Sequence, residues 1–186
     1  IPSAFSEDLS TENITSLATI DIDGDGDLDI ITGKDGERNQ VIENLKYESD
    51  KETNNLFELL GHRFNSGPIG SDKNYTSAVH TFDYNADGNL DVLVGNRGQV
   101  NELYENLGSG EFELTEEVFS RGEEEIGRHT AGFLTVNLTG HKEDDVLVLN
   151  NLKSANELYE NRRGGTFSYI GELFNGSSYI SSAGSS

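Results

Sequence analysis

What constrains this chain most is that it repeats itself. The hexapeptide NELYEN occurs at residues 101–106 and again at 156–161, 55 residues on, and a looser copy, NQVIEN, occupies 39–44. Ahead of each copy stands one pattern in three states of preservation: DIDGDGDLDIITG from Asp21, DYNADGNLDVLVG from Asp83 and NLTGHKEDDVLVL from Asn137. Behind each comes a polar or Gly-rich turn and an aromatic-led apolar run, LFELL, EFEL or TFSYI. Tandem units of this kind bury their apolar faces against one another, which selects a repeat architecture over one irregular core.

Within a unit the apolar runs are short, alternating and bounded by Gly, Asn or Asp, so they read as strands; none is long enough for a helix. In the second unit the strands are expected at 79–82, 91–94, 102–105 and 112–114. Alternation puts Leu103 and Tyr104 on opposite faces, as in a sheet sandwiched between neighbours. Four-stranded antiparallel units repeated in tandem are blades of a β-propeller. An all-β composition agrees, with 21 Gly against 2 Pro and no Cys, Met or Trp. The whole chain, 1–186, is read as one repeat domain with blades at about 14–62, 76–118 and 130–174. A polar insertion, KYESDKETNN, lengthens one hairpin of the first. Residues 175–186 resemble the lead-in of a further blade, since NGSSYISS parallels NYTSAVHTF and HTAGFLTV. The expected architecture is therefore an incomplete propeller, about three blades plus the start of a fourth. It is read as a mature or excised piece of a longer protein, or a unit whose open edges another chain covers.

The loop ahead of each second strand carries the chemistry. In the first, Asp21, Asp23, Asp25 and Asp29 take places 1, 3, 5 and 9, Gly26 takes place 6, and the main-chain carbonyl of Asp27 falls at place 7. Side chains alternating around a sharp turn gather hard oxygens about 2.3–2.6 Å from one Ca²⁺. Without a cation, carboxylates this close repel and some hold protons. The second loop repeats the set with Asp83, Asn85, Asp87, Gly88, the carbonyl of Asn89, and Asp91; its amide lowers the charge, so binding is expected to be weaker there. In the third, Asn137, Thr139 and His141 take the ligand places, Lys142 replaces the glycine and only Asp145 survives. That loop is expected to be metal-free and folded by its own hydrogen bonds. An EF-hand is excluded, because its place 12 needs a bidentate Glu and holds Thr32 and Val94 here.

These motifs resemble the FG-GAP/VCBS repeat family, the blades of integrin α-subunit-like propellers, and the resemblance covers nearly the whole chain. It implies Ca²⁺ bound by the loop between the first two strands of a blade, through the residues just named. It also implies a non-catalytic scaffold, adhesion or assembly module, extracellular or at the cell surface, that contacts other protein chains or further copies of itself.

The remaining features bound the alternatives. A formal charge of −21 opposes nucleic-acid phosphates and anionic membranes and favours cations. No run of 18 apolar residues offers to span a bilayer, and the absence of cysteine leaves the compartment open. Four Asn-x-Ser/Thr sites, at Asn13, Asn74, Asn137 and Asn175, are candidate glycosylation sites, three of them expected just ahead of first strands. His62, His80, His129 and His141 are scattered and form no catalytic arrangement; no thiol nucleophile exists and no acid pair stands out, so the chain is read as no enzyme. RGEEEIG reads as a solvated acidic loop. The recurring Phe112, Phe167, Tyr104 and Tyr159 read as packing between blades. The alternatives are a carbohydrate-binding propeller, which has no Trp to offer, and the accessory propeller of a polysaccharide- or lipid-active enzyme.

Overall fold

The computed structural model describes residues 13–44, 57–59, 74–108, 110–115, 119, 129–151, 154–162 and 165–173. All the regular structure among them is β. Strands β1 (Ile14–Ile20), β2 (Asp29–Glu37), β3 (Gln40–Asn44) and β4 (Phe57–Leu59) pair antiparallel in that order as a first blade. The second blade is β5 (Asn74–Phe82), β6 (Asp91–Asn96), β7 (Glu102–Asn106) and β8 (Phe112–Leu114), and the third is β9 (Thr130–Val136), β10 (Asp145–Asn150), β11 (Asn156–Arg162) and β12 (Thr166–Leu173). The β-branched and aliphatic runs DIITG, DVLVGN and DVLVLN become the second strands, packed on both faces, which is why they lack a polar alternation. The polar insertion, residues 175–186, His62 and the RGEEEIG segment lie outside the described residues.

One boundary differs from the sequence reading. Strand β5 begins at Asn74, well before the expected residue 79, because Asn74 and Tyr75 pair with Glu37 and Asp35 at the end of β2. Blades 1 and 2 thus join into one eight-stranded hydrogen-bonded sheet, while blade 3 stays a separate four-stranded sheet, linked to blade 2 by the isolated bridge between Arg97 and His129. The periodicity of one unit carries no signal for pairing between units. The Arg97 guanidinium also pairs with the Asp35 carboxylate across the first junction.

The core is two slabs, one in each gap between blades. Ile20, Ile22, Ile31 and Val41 of blade 1 meet Val79, Val92, Val94 and Tyr104 of blade 2, with Phe112 and Leu114 against them. Phe82, Tyr84, Leu93 and Leu103 of blade 2 then meet Val146, Val148 and Tyr159 of blade 3, joined by Phe119, Phe133 and Phe167. Leu103 and Tyr104 lie in different slabs, as their alternation requires. The recurring aromatics are therefore packing residues: Phe119 stands edge-on to Tyr159 at 5.0 Å and 4.9 Å from Phe167.

A second repeated contact locks each gap. The first strand of every blade bulges at one place, Thr15, Ser77 or Ala131, where pairing skips a residue. The Thr15 hydroxyl reaches the Gly33 carbonyl of its own blade at 3.1 Å and the Thr76 carbonyl of the next at 2.6 Å. Ser77 does the same with Gly95 and Thr130. Gly33 and Gly95 allow this approach, since a Cβ on either would stand 2.7 Å from the threonine methyl of the next blade. On the far side of blade 3 the pair becomes Ala131 and Leu149, so this contact is not offered a third time.

Candidate metal centre

The first acidic loop runs from the end of β1 to the start of β2. Its alternation separates two jobs. Asp21 and Asp23 turn to the loop interior and meet Asp29, with one oxygen from each lying within 4.8 Å of the others. Ile22, between them, turns the opposite way into the first slab and is only 1% exposed. Gly26, at φ 90°, makes the sharp turn, and its N–H and that of Gly24 donate to Asp21 at 3.1 and 2.8 Å. Asp25 stands apart from the three-carboxylate cluster and accepts the Asp27 N–H at 2.9 Å. Asp27 is buried at the place where its carbonyl was expected to serve.

The second loop has the same course. Asp83 accepts N–H bonds from Asp87 and Gly88 at 3.1 and 3.0 Å, and Asp87 accepts from Asn89 at 2.8 Å. Gly88 repeats the left-handed turn at φ 100°. Tyr84 fills the place of Ile22: it is 7% exposed, lies in the second slab and stacks on Phe167 at 6.5 Å. Asn161 of blade 3 also donates to its carbonyl at 2.8 Å. Each acidic loop is therefore a plug in the gap between its own blade and the next.

The ninth-place aspartate has a role that ligand counting missed. Asp29 accepts the N–H of Ile22 at 2.8 Å on one oxygen and that of Asn44, at the end of β3, at 2.7 Å on the other. Asp91 brackets Tyr84 and Asn106 at 3.0 and 2.9 Å, and Asp145 brackets Leu138 and Asn161 at 2.8 and 3.0 Å. The bracket ties the loop to the third strand in every blade, whatever the other loop residues are. Its signal was in the sequence: Asp145 persists where the other acids are lost, and Asn44, Asn106 and Asn161 recur with it.

The third loop replaces acids by donors. Thr139 gives both its N–H, at 2.9 Å, and its hydroxyl, at 3.1 Å, to Asp145. The Asn137 amide donates to the His141 carbonyl, and the His141 ring meets Glu160 at 3.2 Å. With Lys142 at the sixth place the left-handed turn is dropped there. Leu138, the counterpart of Ile22 and Tyr84, is 56% exposed.

Electrostatics separate the loops in the same way. Burial, opposed by its two bracket bonds and reinforced by Asp23 and Asp27, raises the Asp29 carboxyl above the ordinary range. Burial, with Asp87 and Asp83 nearby, pushes Asp91 up to about 7. Asp145 also feels burial, but the N–H bonds from Asn161, Leu138 and Thr139 and the Thr139 hydroxyl outweigh it and hold the group below the usual value. The first two loops carry more negative charge than their own donors balance; the third does not. Oxygens bound to one Ca²⁺ lie at most about 5 Å apart, and the all-oxygen cluster of Asp21, Asp23 and Asp29 meets that limit. These residues fit a hard divalent cation.

The other singled-out residues sort as follows. His80, whose pKa burial lowers, meets Thr135 of blade 3 at 3.1 Å and helps join the first strands. Asn74 is the first residue of β5 rather than ahead of it, and its amide nitrogen donates to Glu102 at 2.8 Å. Asn13 is exposed, Asn137 has its nitrogen on His141, and Asn175 is outside the described residues.

Consecutive four-stranded blades, each with an Asx-rich loop between its first two strands, define the described residues as all-β, built from tandem blades of the propeller type. Residues 13–43, which hold β1, the first acidic loop, β2 and most of β3, match the FG-GAP repeat, so the chain carries an FG-GAP repeat there. Such repeats build propeller modules of the protein-interaction and adhesion type. No curated protein matches the chain. No helix among the described residues is long and apolar enough to cross a membrane.

Proposed function

We propose that this is a non-catalytic, calcium-stabilised scaffold of extracellular or cell-surface type, whose blades hold other protein chains. One observation carries the calcium reading: in both acidic loops, the residue between two interior-facing oxygens is the plug of an interblade core. Fixing the oxygens thereby fixes the joint between blades. Asp21, Asp23, Asp25, Asp29 and the Asp27 carbonyl would hold the ion in the first loop. Asp83, Asn85, Asp87, Asp91 and the Asn89 carbonyl would hold it more weakly in the second. A bound Ca²⁺ supplies the positive charge that these carboxylates lack, and the third loop, closed by its own donors, needs none. This is stiffening without disulfides in a chain that has no cysteine. The buried aromatics support packing over a sugar-stacking platform, and the exposed Leu138 and Leu134 offer apolar surface for a partner chain.

Removing calcium with EDTA is expected to lower the melting temperature by roughly 5–10 °C, the size expected of a ligand near 100 times its Kd. Asp23→Ala should remove the larger part of that response. An unchanged melt would falsify the calcium reading. For the partner reading, light scattering in calcium should show a multimer or a complex; a strict monomer that captures no protein counts against it.

Acid adds an independent check. Asp91 titrates near 7 when folded and near 3.9 when unfolded, so the neutral carboxyl is the form that folding favours. Its contribution is full below about pH 4 and is lost as pH rises to about 7. Asp145, shifted down, works in the opposite sense: its contribution is lost as pH falls, and only below about pH 4. Metal-free protein should therefore melt lower at about pH 7.5 than at about pH 5, and saturating calcium should cancel or reverse the trend, as differential scanning calorimetry would show.

A further inference from the structure

We propose that Glu105, on β7, is the positioning residue of the second loop: it turns the Asn85 side chain so that the amide oxygen, rather than the nitrogen, faces the cation. The proposal rests on the calcium reading of that loop and deepens it. An aspartate at the third loop place has two equivalent oxygens and needs no orientation. An asparagine has one oxygen and one NH₂, and presents the oxygen to a cation in only one of its two flipped orientations, which a partner that accepts from the nitrogen selects. Glu105 does so, since its Oε1 accepts an Asn85 Nδ2–H bond at 3.1 Å. The second N–H goes to Asp87 Oδ2 at 3.2 Å, while Asn85 Oδ1 accepts the Asp87 backbone N–H at 3.1 Å.

The reversed amide is chemically excluded. It would set its oxygen against the Glu105 and Asp87 carboxylates and its NH₂ against the Asp87 N–H, three repulsions in place of three hydrogen bonds. The other Glu105 oxygen accepts the Tyr84 hydroxyl at 3.1 Å, so one carboxylate aims both the ligand and the neighbouring interblade plug. Blade 3 supplies a natural contrast. Its corresponding acid, Glu160, has no amide to orient and takes His141 and Arg162 instead, at 3.2 and 3.0 Å. Partners one shell out that orient a ligand are commonly worth about 10- to 100-fold in metal affinity.

The experiment is a calorimetric Ca²⁺ titration of the full chain in an Asp23→Ala background, which leaves the second loop as the site observed. Glu105→Ala is expected to weaken binding about tenfold or more, whereas Glu105→Gln, which still offers an oxygen to the Asn85 amide, should stay within about threefold of the parent. When Asn85→Asp is added to that background, nothing needs turning, and Glu105→Ala should cost no affinity. That last arm also answers misfolding, because a general defect would persist in it. Equal loss with and without Asn85→Asp, equal loss for the Ala and Gln variants, or no loss at all would each overturn the positioning role while the calcium reading stands. A parent whose second loop takes up no Ca²⁺ would overturn both.

Discussion

Asp145→Ala is expected to lower stability by about 3 kcal/mol, one or two charge-assisted hydrogen bonds' worth, and to leave the calcium response of the melt unchanged. The carboxylate is fully buried and receives the N–H groups of Leu138, Thr139 and Asn161. Water can replace the bonds at the exposed loop, but Asn161 is itself 0% exposed and its N–H would be stranded. At this chain length the loss corresponds to roughly 6–12 °C in Tm. Asp91→Ala removes the same bracket from Tyr84 and Asn106, yet its effect should depend on calcium. In EDTA above about pH 7 the charge it removes is a disfavoured one, so part of the cost is relieved. In calcium the full cost appears, together with loss of the second site. Melts of both variants in EDTA and in calcium at about pH 8 check the pair, and equal calcium dependence of the two would reverse the roles assigned here.

That contrast also marks how far the sequence could be read. The three units, their strands and the two-faced alternation of Leu103 and Tyr104 were legible, because each is encoded within a unit at a fixed period. The gathering of Asp21, Asp23 and Asp29 was legible for the same reason. Asp29, Asp91 and Asp145 were legible only as ligands, because one residue type serves both as a cation ligand and as an N–H bracket; only the comparison with the failed third loop tells them apart. The recurring aromatics were legible as packing between units, but the hydrogen bonds between units were not. Thr15 and Ser77 look like ordinary strand residues until the bulge aims their hydroxyls at the next blade. The early start of β5 depends on a partner in blade 1. Glu105 was hidden in a repeat where its counterparts are also acids, so nothing in the alignment of units set it apart.

Gly165→Ala is expected to be the most disruptive single methyl among the described glycines, lowering stability by about 3 kcal/mol or more. Two independent costs add at this residue. Its φ of 77° lies in the left-handed region, where a Cβ is strained. The added carbon would also run into the Tyr84 ring, meeting Cδ2 at 2.6 Å and Cε2 closer still. The ring has little room to retreat, since it stacks on Phe167, its hydroxyl is held by Glu105 and its backbone carbonyl by Asn161. Displacing Tyr84 moves the residue between Asp83 and Asn85, so the damage should reach the second loop across a blade boundary. The expected outcome is a lower melting temperature together with weaker Ca²⁺ binding at the second loop and unchanged binding at the first. Gly132→Ala is the matched control, because its nearest neighbour across the new methyl, Leu149 Cδ1, stands at an ordinary 3.8 Å. If Gly165→Ala lowered the melt but left second-loop affinity intact, the loop and the joint would be mechanically separate, and calcium there would stiffen a turn rather than hold two blades together.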